Sequence, residues 1–179
     1  MKIFSSRTLI LLLSATVLFA GCSKSGTPDS SGNYYIKGKK NGADFSYTNY
    51  AMATIFEVVG NSSLSLSANN SSNAGDLTGM VLGINFSNGG SLAPGTYIED
   101  GGGVTYVVSG VHNPNSTTIV YGAGIHVPTA RPLKIVITSI TDTEITGTFE
   151  GAFYKQDVSI PEFYDDYLDF TDGEFRLPL

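Results

Sequence analysis

Two histidines, a single cysteine and a run of carboxylates are the residues of this 179-residue chain with chemistry to offer. His112 and His126 each sit beside a proline-containing turn, at Asn113-Pro114 and Val127-Pro128, and neither has a second His or Cys at ligand spacing. Zinc takes three or four such ligands, so both read as surface or loop histidines. A Ser-His-Asp triad assembles from distant segments, and with 20 serines to choose from its possibility carries no information. Neither a Gly-x-Ser-x-Gly elbow nor a Gly-x-x-x-x-Gly-Lys loop occurs. Gly101-Gly102-Gly103 lacks the strand-to-helix setting of a phosphate cradle and reads as a loose hairpin connection.

The acidic residues Glu162, Asp165, Asp166, Asp169, Asp172 and Glu174 form the most suggestive cluster. Calcium accepts six to eight oxygens from irregular loops. EF-hand spacing is absent, however, and a short helical turn over residues 160–168, opened by Pro161, would point several of these carboxylates into solvent. Glycoside cleavage needs two carboxylates facing each other across a cleft, which nothing in this spacing establishes. No catalytic residue, metal ligand or cofactor site is therefore assigned, and the expectation is a protein that is not an enzyme.

The remaining reactive group, Cys22, is best understood from what precedes it. Lys2 and Arg7 form a basic start, and residues 9–20 are a run of 12 dominated by Leu, Ile, Val and Phe. As a helix rising 1.5 Å per residue it falls far short of a hydrocarbon core of about 30 Å, so it reads as a signal-peptide segment. It ends in Phe19-Ala20-Gly21-Cys22, which resembles the lipobox of bacterial lipoproteins, with Phe19 where that pattern has Leu. The resemblance implies cleavage after Gly21 and a diacylglyceryl group on the Cys22 thiol; the alternative is an ordinary secretory signal cut near Ala20 or Gly21. The expected division is signal peptide 1–21, lipidated Cys and flexible linker 22–32, and one domain 33–179. Two or three acyl chains, at about 0.8 kcal/mol per buried CH₂, hold a protein on a bilayer nearly permanently. A linker rich in Ser and Gly keeps the domain within about 20 Å of it. Ser23 after the cysteine, in place of Asp, fits sorting to the outer membrane, and Ser23-Lys24-Ser25-Gly26 lacks the acidic cluster of surface-exported lipoproteins, which favours a periplasm-facing position.

From residue 33 onward the apolar residues alternate with period two, the spacing of a half-buried strand. Ile145, Gly147, Phe149, Gly151 and Phe153 fall on one face, with Glu144, Thr146, Thr148 and Glu150 on the other. Met80, Leu82, Ile84 and Phe86 alternate with Val81, Gly83 and Asn85 in the same way, as do residues 64–67. Further strands are expected over residues 104–108, 117–125 and 133–140 and around Phe175, Leu177 and Leu179. Asn41-Gly42 signals a two-residue hairpin of type I′, and Thr141-Asp142-Thr143 a second hairpin. The fold class that follows is all-β, an antiparallel two-sheet sandwich of about eight to ten strands, with a lipocalin-like barrel as the alternative.

Composition narrows the partners. The chain carries 10 Lys and Arg against 16 Asp and Glu, a net charge of -6, with no basic stripe, which excludes nucleic acid as a natural partner. Without Lys2 and Arg7, 8 basic side chains face 16 acidic ones, so the lipid and not the domain surface would hold the membrane. Several of the ten tyrosines, Tyr34, Tyr35, Tyr47, Tyr50, Tyr164 and Tyr167, fall near expected strand ends. They complete the core and its rim, or form a platform for a sugar or protein.

Leu92-Ala93-Pro94-Gly95-Thr96-Tyr97, Ile135-Val136-Ile137-Thr138, residues 145–151 and Thr171-Asp172-Gly173-Glu174-Phe175 together resemble small lipoproteins common in Bacteroidetes, over roughly residues 77–179. The resemblance implies an envelope location and a β-rich fold, and brings no catalytic residues. The expected function is a non-enzymatic envelope lipoprotein binding a protein or glycan; a small secreted hydrolase and a barrel carrying an apolar ligand are the alternatives.

Overall fold

The computed structural model describes residues 33–58, 61–73, 75–87, 89–99, 105–124, 131–159 and 162–179. Cys22 and the segment before it, the linker, His126 and Gly101 to Gly103 lie outside the described residues. Among the described residues there are eleven strands: β1 Tyr35–Lys40, β2 Ala43–Tyr47, β3 Asn49–Val58, β4 Asn61–Asn69, β5 Gly79–Phe86, β6 Gly95–Ile98, β7 Tyr106–Asn113, β8 Ile119–Ala123, β9 Lys134–Ile140, β10 Glu144–Asp157 and β11 Glu162–Pro178. No helix occurs among the described residues. Every strand pair is antiparallel.

The strands form one hydrogen-bonded path in the order β2-β1-β11-β10-β8-β7-β5-β4-β3, with β9 pairing β10 and β6 as a branch. The branch arises in β10. Ile145 to Glu150 pair with β9, whereas Tyr154 to Asp157 pair with β8, and β11 accompanies β10 along both stretches. One wall is therefore β2, β1, β9, β6 and the early half of β10; the other is β3, β4, β5, β7, β8 and its later half. The long hairpin of β10 and β11 bends from one wall into the other, at register shifts between Phe149 and Gly151 and between Tyr154 and Gln156. Because β3 also closes toward β1 and β11, the antiparallel all-β architecture is a nearly closed barrel built from two facing walls, and the barrel description fits as well as the sandwich.

The alternation seen in sequence is the burial pattern. Leu64, Leu66 and Ala68 of β4 and Met80, Leu82, Ile84 and Phe86 of β5 are buried, while their neighbours Ser65, Ser67, Val81 and Asn85 face outward. Between the walls Phe153 and Phe170 meet edge to face at 4.7 Å, and Phe45, Phe149 and His112 pack round Phe170 at 5.5, 6.4 and 5.6 Å. Burying each such ring contributes roughly 1.5–3 kcal/mol. Glycines make seats for them: a Cβ on Gly110 would stand 2.6 Å from the Phe153 ring, and one on Gly147 2.4 Å from Phe175. The β1–β2 hairpin turns at Asn41 and Gly42, with φ of 50° and 81°, as their dipeptide predicts.

The described residues hold eleven strands where about eight to ten are expected, the additional ones being β3 and the four-residue β6, whose alternation is weak. Two expectations are corrected. Residues 162–168 belong to β11 and not to a helical turn: Phe163 pairs with Gln156, Tyr167 with Tyr154 and Leu168 with Phe153, so the long β10 edge captures the segment. His112 is a buried strand residue of β7, not a loop histidine.

Candidate functional site

Among the described residues, Glu99 and His112 are the polar side chains most deeply buried. Neither builds a reactive constellation. His112 points inward from β7 because its neighbours Val111 and Asn113 face out; its Nδ1 bonds the Gly79 carbonyl at 3.0 Å, which makes that nitrogen the protonated one. Its Nε2 has no hydrogen-bond partner among the described residues, and the ring lies against Tyr47, Tyr121 and Phe170. Desolvation first, and then the charge of Lys40, push its pKa down to about 4. Glu99, just past β6, accepts the backbone N–H of Gly124 at one oxygen and that of Leu133 at the other, both at 2.9 Å, tying the end of β8 to the start of β9. The sequence places His112 on a loop and singles out Glu99 not at all, because an isolated Glu or His gives no sign of which strand face it will occupy.

The acidic cluster is spread along β11, and four of its six carboxylates are in ion pairs. Glu174 pairs with Lys37 at 3.0 Å, Asp172 with Lys39 at 2.9 Å, Asp166 with Lys155 at 3.7 Å and Asp169 with Arg131. With Lys134–Glu150 and Arg176–Glu144, these pairs cover the outside of β1, β9, β10 and β11. Lys37, Lys39 and Lys155 sit on the strand beside their carboxylates and Arg131 just ahead of β9, so ladder neighbours supply most of the neutralising charge. Among the described residues no three His, Cys, Asp or Glu side chains gather in a way that could hold a metal. The tyrosines disperse as well: Tyr47 is buried, Tyr35 lies under Lys37, Tyr50 donates to the Ser72 carbonyl, and Tyr167 pairs with Tyr154 at 5.4 Å.

The opposite face differs in kind. Strands β4, β5, β7 and β8 contain no Asp, Glu, Lys or Arg, and β3 carries Glu57 alone. On the outside of β3, β4, β5 and β7 the register aligns three rows across the strands. Met52, Ser67, Val81 and Val111 form one ridge; Phe56, Ser63, Asn85 and Val107 form another. Between them run Thr54, Ser65, Gly83 and Ser109. Small residues in the middle row leave a trough of about 350 Å³, within the size range of ligand sites. Its ridges lie four residues apart along each strand, about 14 Å, and it crosses four strands, about 15 Å. Phe56 is 57% exposed, and Met52, Val81 and Val111 are 43–45% exposed. The side chains of Ser63, Ser65, Asn85 and Ser109 make no hydrogen bond among the described residues. This is where uncommitted polar groups and exposed apolar surface coincide. The signal lay in the sequence as an uncharged stretch, but the rows exist only once the register is known.

Compared with family models, with curated proteins and with solved structures, the chain finds no match in any of the three.

Proposed function

We propose that this chain is a non-enzymatic envelope lipoprotein, acylated on Cys22 and facing the periplasm from the outer membrane, whose β domain binds a protein or glycan through the trough face. The observation that supports the binding role is the division of its surface: paired charges on one side, and on the other a neutral face with unspent hydroxyls and exposed Phe56, Val81 and Val111. Surfaces of that second kind mark interaction sites. The packed rings between the walls weigh against an apolar ligand carried inside the barrel. His112, bonded to a carbonyl and enclosed by rings, weighs against its use as a general base.

Two measurements test this. Mass analysis of the mature N-terminus, with and without globomycin, should find acylated Cys22 only without the drug; an unmodified terminus removes the anchor. The full chain released from the membrane by Cys22→Ala should co-sediment with isolated envelopes, and the additional Val111→Glu change should abolish this. Equal sedimentation of both removes the trough face from the binding role.

A further inference from the structure

We propose that the trough across β3, β4, β5 and β7 is a binding site for a neutral polysaccharide chain, an assignment that rests on the reading of this face as the binding surface. Four chemistries compete for such a groove, and the lining discriminates among them. An anionic polymer would meet no Lys or Arg in the trough and a protein of net charge -6 around it. A lipid chain calls for a continuous apolar lining, whereas Ser65 and Ser109 stand in the middle row. An extended polypeptide gains its affinity by completing a ladder along a strand edge; this groove runs across the strands, where no ladder is on offer.

A neutral sugar polymer fits what is present. Its hydroxyls donate and accept, as do those of Ser65 and Ser109 and the amide of Asn85. Its C–H faces have apolar seats on Phe56, Val81 and Val111. Gly83 keeps the middle of the groove open, since a Cβ there would approach the Ser109 hydroxyl to 3.1 Å. The dimensions suit a chain lying lengthwise in the groove, passing from β3 to β7 over consecutive sugar units.

The test is native affinity electrophoresis of the full chain carrying Cys22→Ala in gels containing soluble starch, galactomannan, mixed-linkage β-glucan or hydroxyethyl cellulose, with polygalacturonate as the charged comparison. At least one neutral polymer should slow migration, and polygalacturonate should not. Ser65→Lys, which places a long charged side chain in the middle row, should raise the apparent Kd at least tenfold, and Lys134→Ala on the charged face should leave it unchanged. Asn85→Lys serves the same purpose if Ser65→Lys fails to fold by circular dichroism. Unaltered migration in all four neutral polymers overturns the proposal, as does retardation that survives both lysine substitutions. If envelope binding is still lost in Val111→Glu while no polysaccharide retards the protein, the glycan assignment falls and the binding face stands; if Val111→Glu has no effect on envelope binding, the underlying reading falls.

Discussion

The ring of His112 lies nearly parallel to that of Tyr47, with 6.1 Å between centroids and 11° between planes, and neither ring opens to solvent. A proton on Nε2 would be a buried charge with no acceptor among the described residues, and Lys40 would add repulsion. The facing titratable groups are Lys40 from β1, Tyr47 from β2 and Tyr121 from β8; Phe170 of β11 contributes none. The folded pKa of about 4 lies below the unfolded value of 6.5, so the unfolded chain takes up the proton first as pH falls. Stability is therefore full above pH 6.5, declines between 6.5 and about 4, and loses roughly 3 kcal/mol from this group. Urea unfolding of wild type and His112→Phe across that window checks it: the variant should lack this component, and parallel curves would refute it. Tyr47, raised to about 12 by burial and then by Asp76, produces the opposite limb, with stability falling as pH rises from 10 to 12.

Replacing Glu99 should be among the costliest polar changes. Glu99→Ala leaves the buried N–H groups of Gly124 and Leu133 without their carboxylate, a loss of roughly 2–5 kcal/mol. Glu99→Gln keeps one acceptor and should cost less. Denaturant midpoints that fail to rank wild type above Gln above Ala would contradict the clamp.

Gly110 and Gly147 are tested by adding one methyl. Gly147→Ala meets the Val136 carbonyl oxygen at 2.1 Å and Phe175 at 2.4 Å, and Gly110→Ala meets Phe153 at 2.6 Å. Overpacking of this kind costs roughly 1–3 kcal/mol, or more where backbone must yield. Gly95→Ala, which meets nothing within 4 Å, should move the thermal midpoint little. Equal effects at the three positions would refute the seats.

The ion-pair face should matter far less. Lys37, Lys39, Glu174 and Asp172 are all exposed, and such pairs are screened by salt and entropically costly to hold. Lys37→Ala and Lys39→Ala should leave the melting temperature unchanged within error at 0.15 M salt. A large drop for either would show the pairs to be structural.

Much of the fold was legible because burial here follows a single rule. Where a strand buries one face only, as β5 and the first half of β10 do, alternation names both the element and its inward residues. Asn41-Gly42 fixed a turn for an equally local reason. Legibility failed where distant pairing decides. Residues 162–168 have the composition of a solvated turn, and only the β10 edge across from them makes them strand. Likewise Ser65, Gly83 and Ser109 are unremarkable in sequence, and become one row only through the register of β4, β5 and β7. The placement of His112 depended on strand phase beside Pro114, where the pattern was read as already broken.

Because β10 lends one stretch to β9 and the next to β8 while β11 spans both, neither wall has a complete set of neighbours of its own. Opening either half strips partners from the other, so the molecule lacks an independent foldon and its slowest-exchanging amides should vanish together.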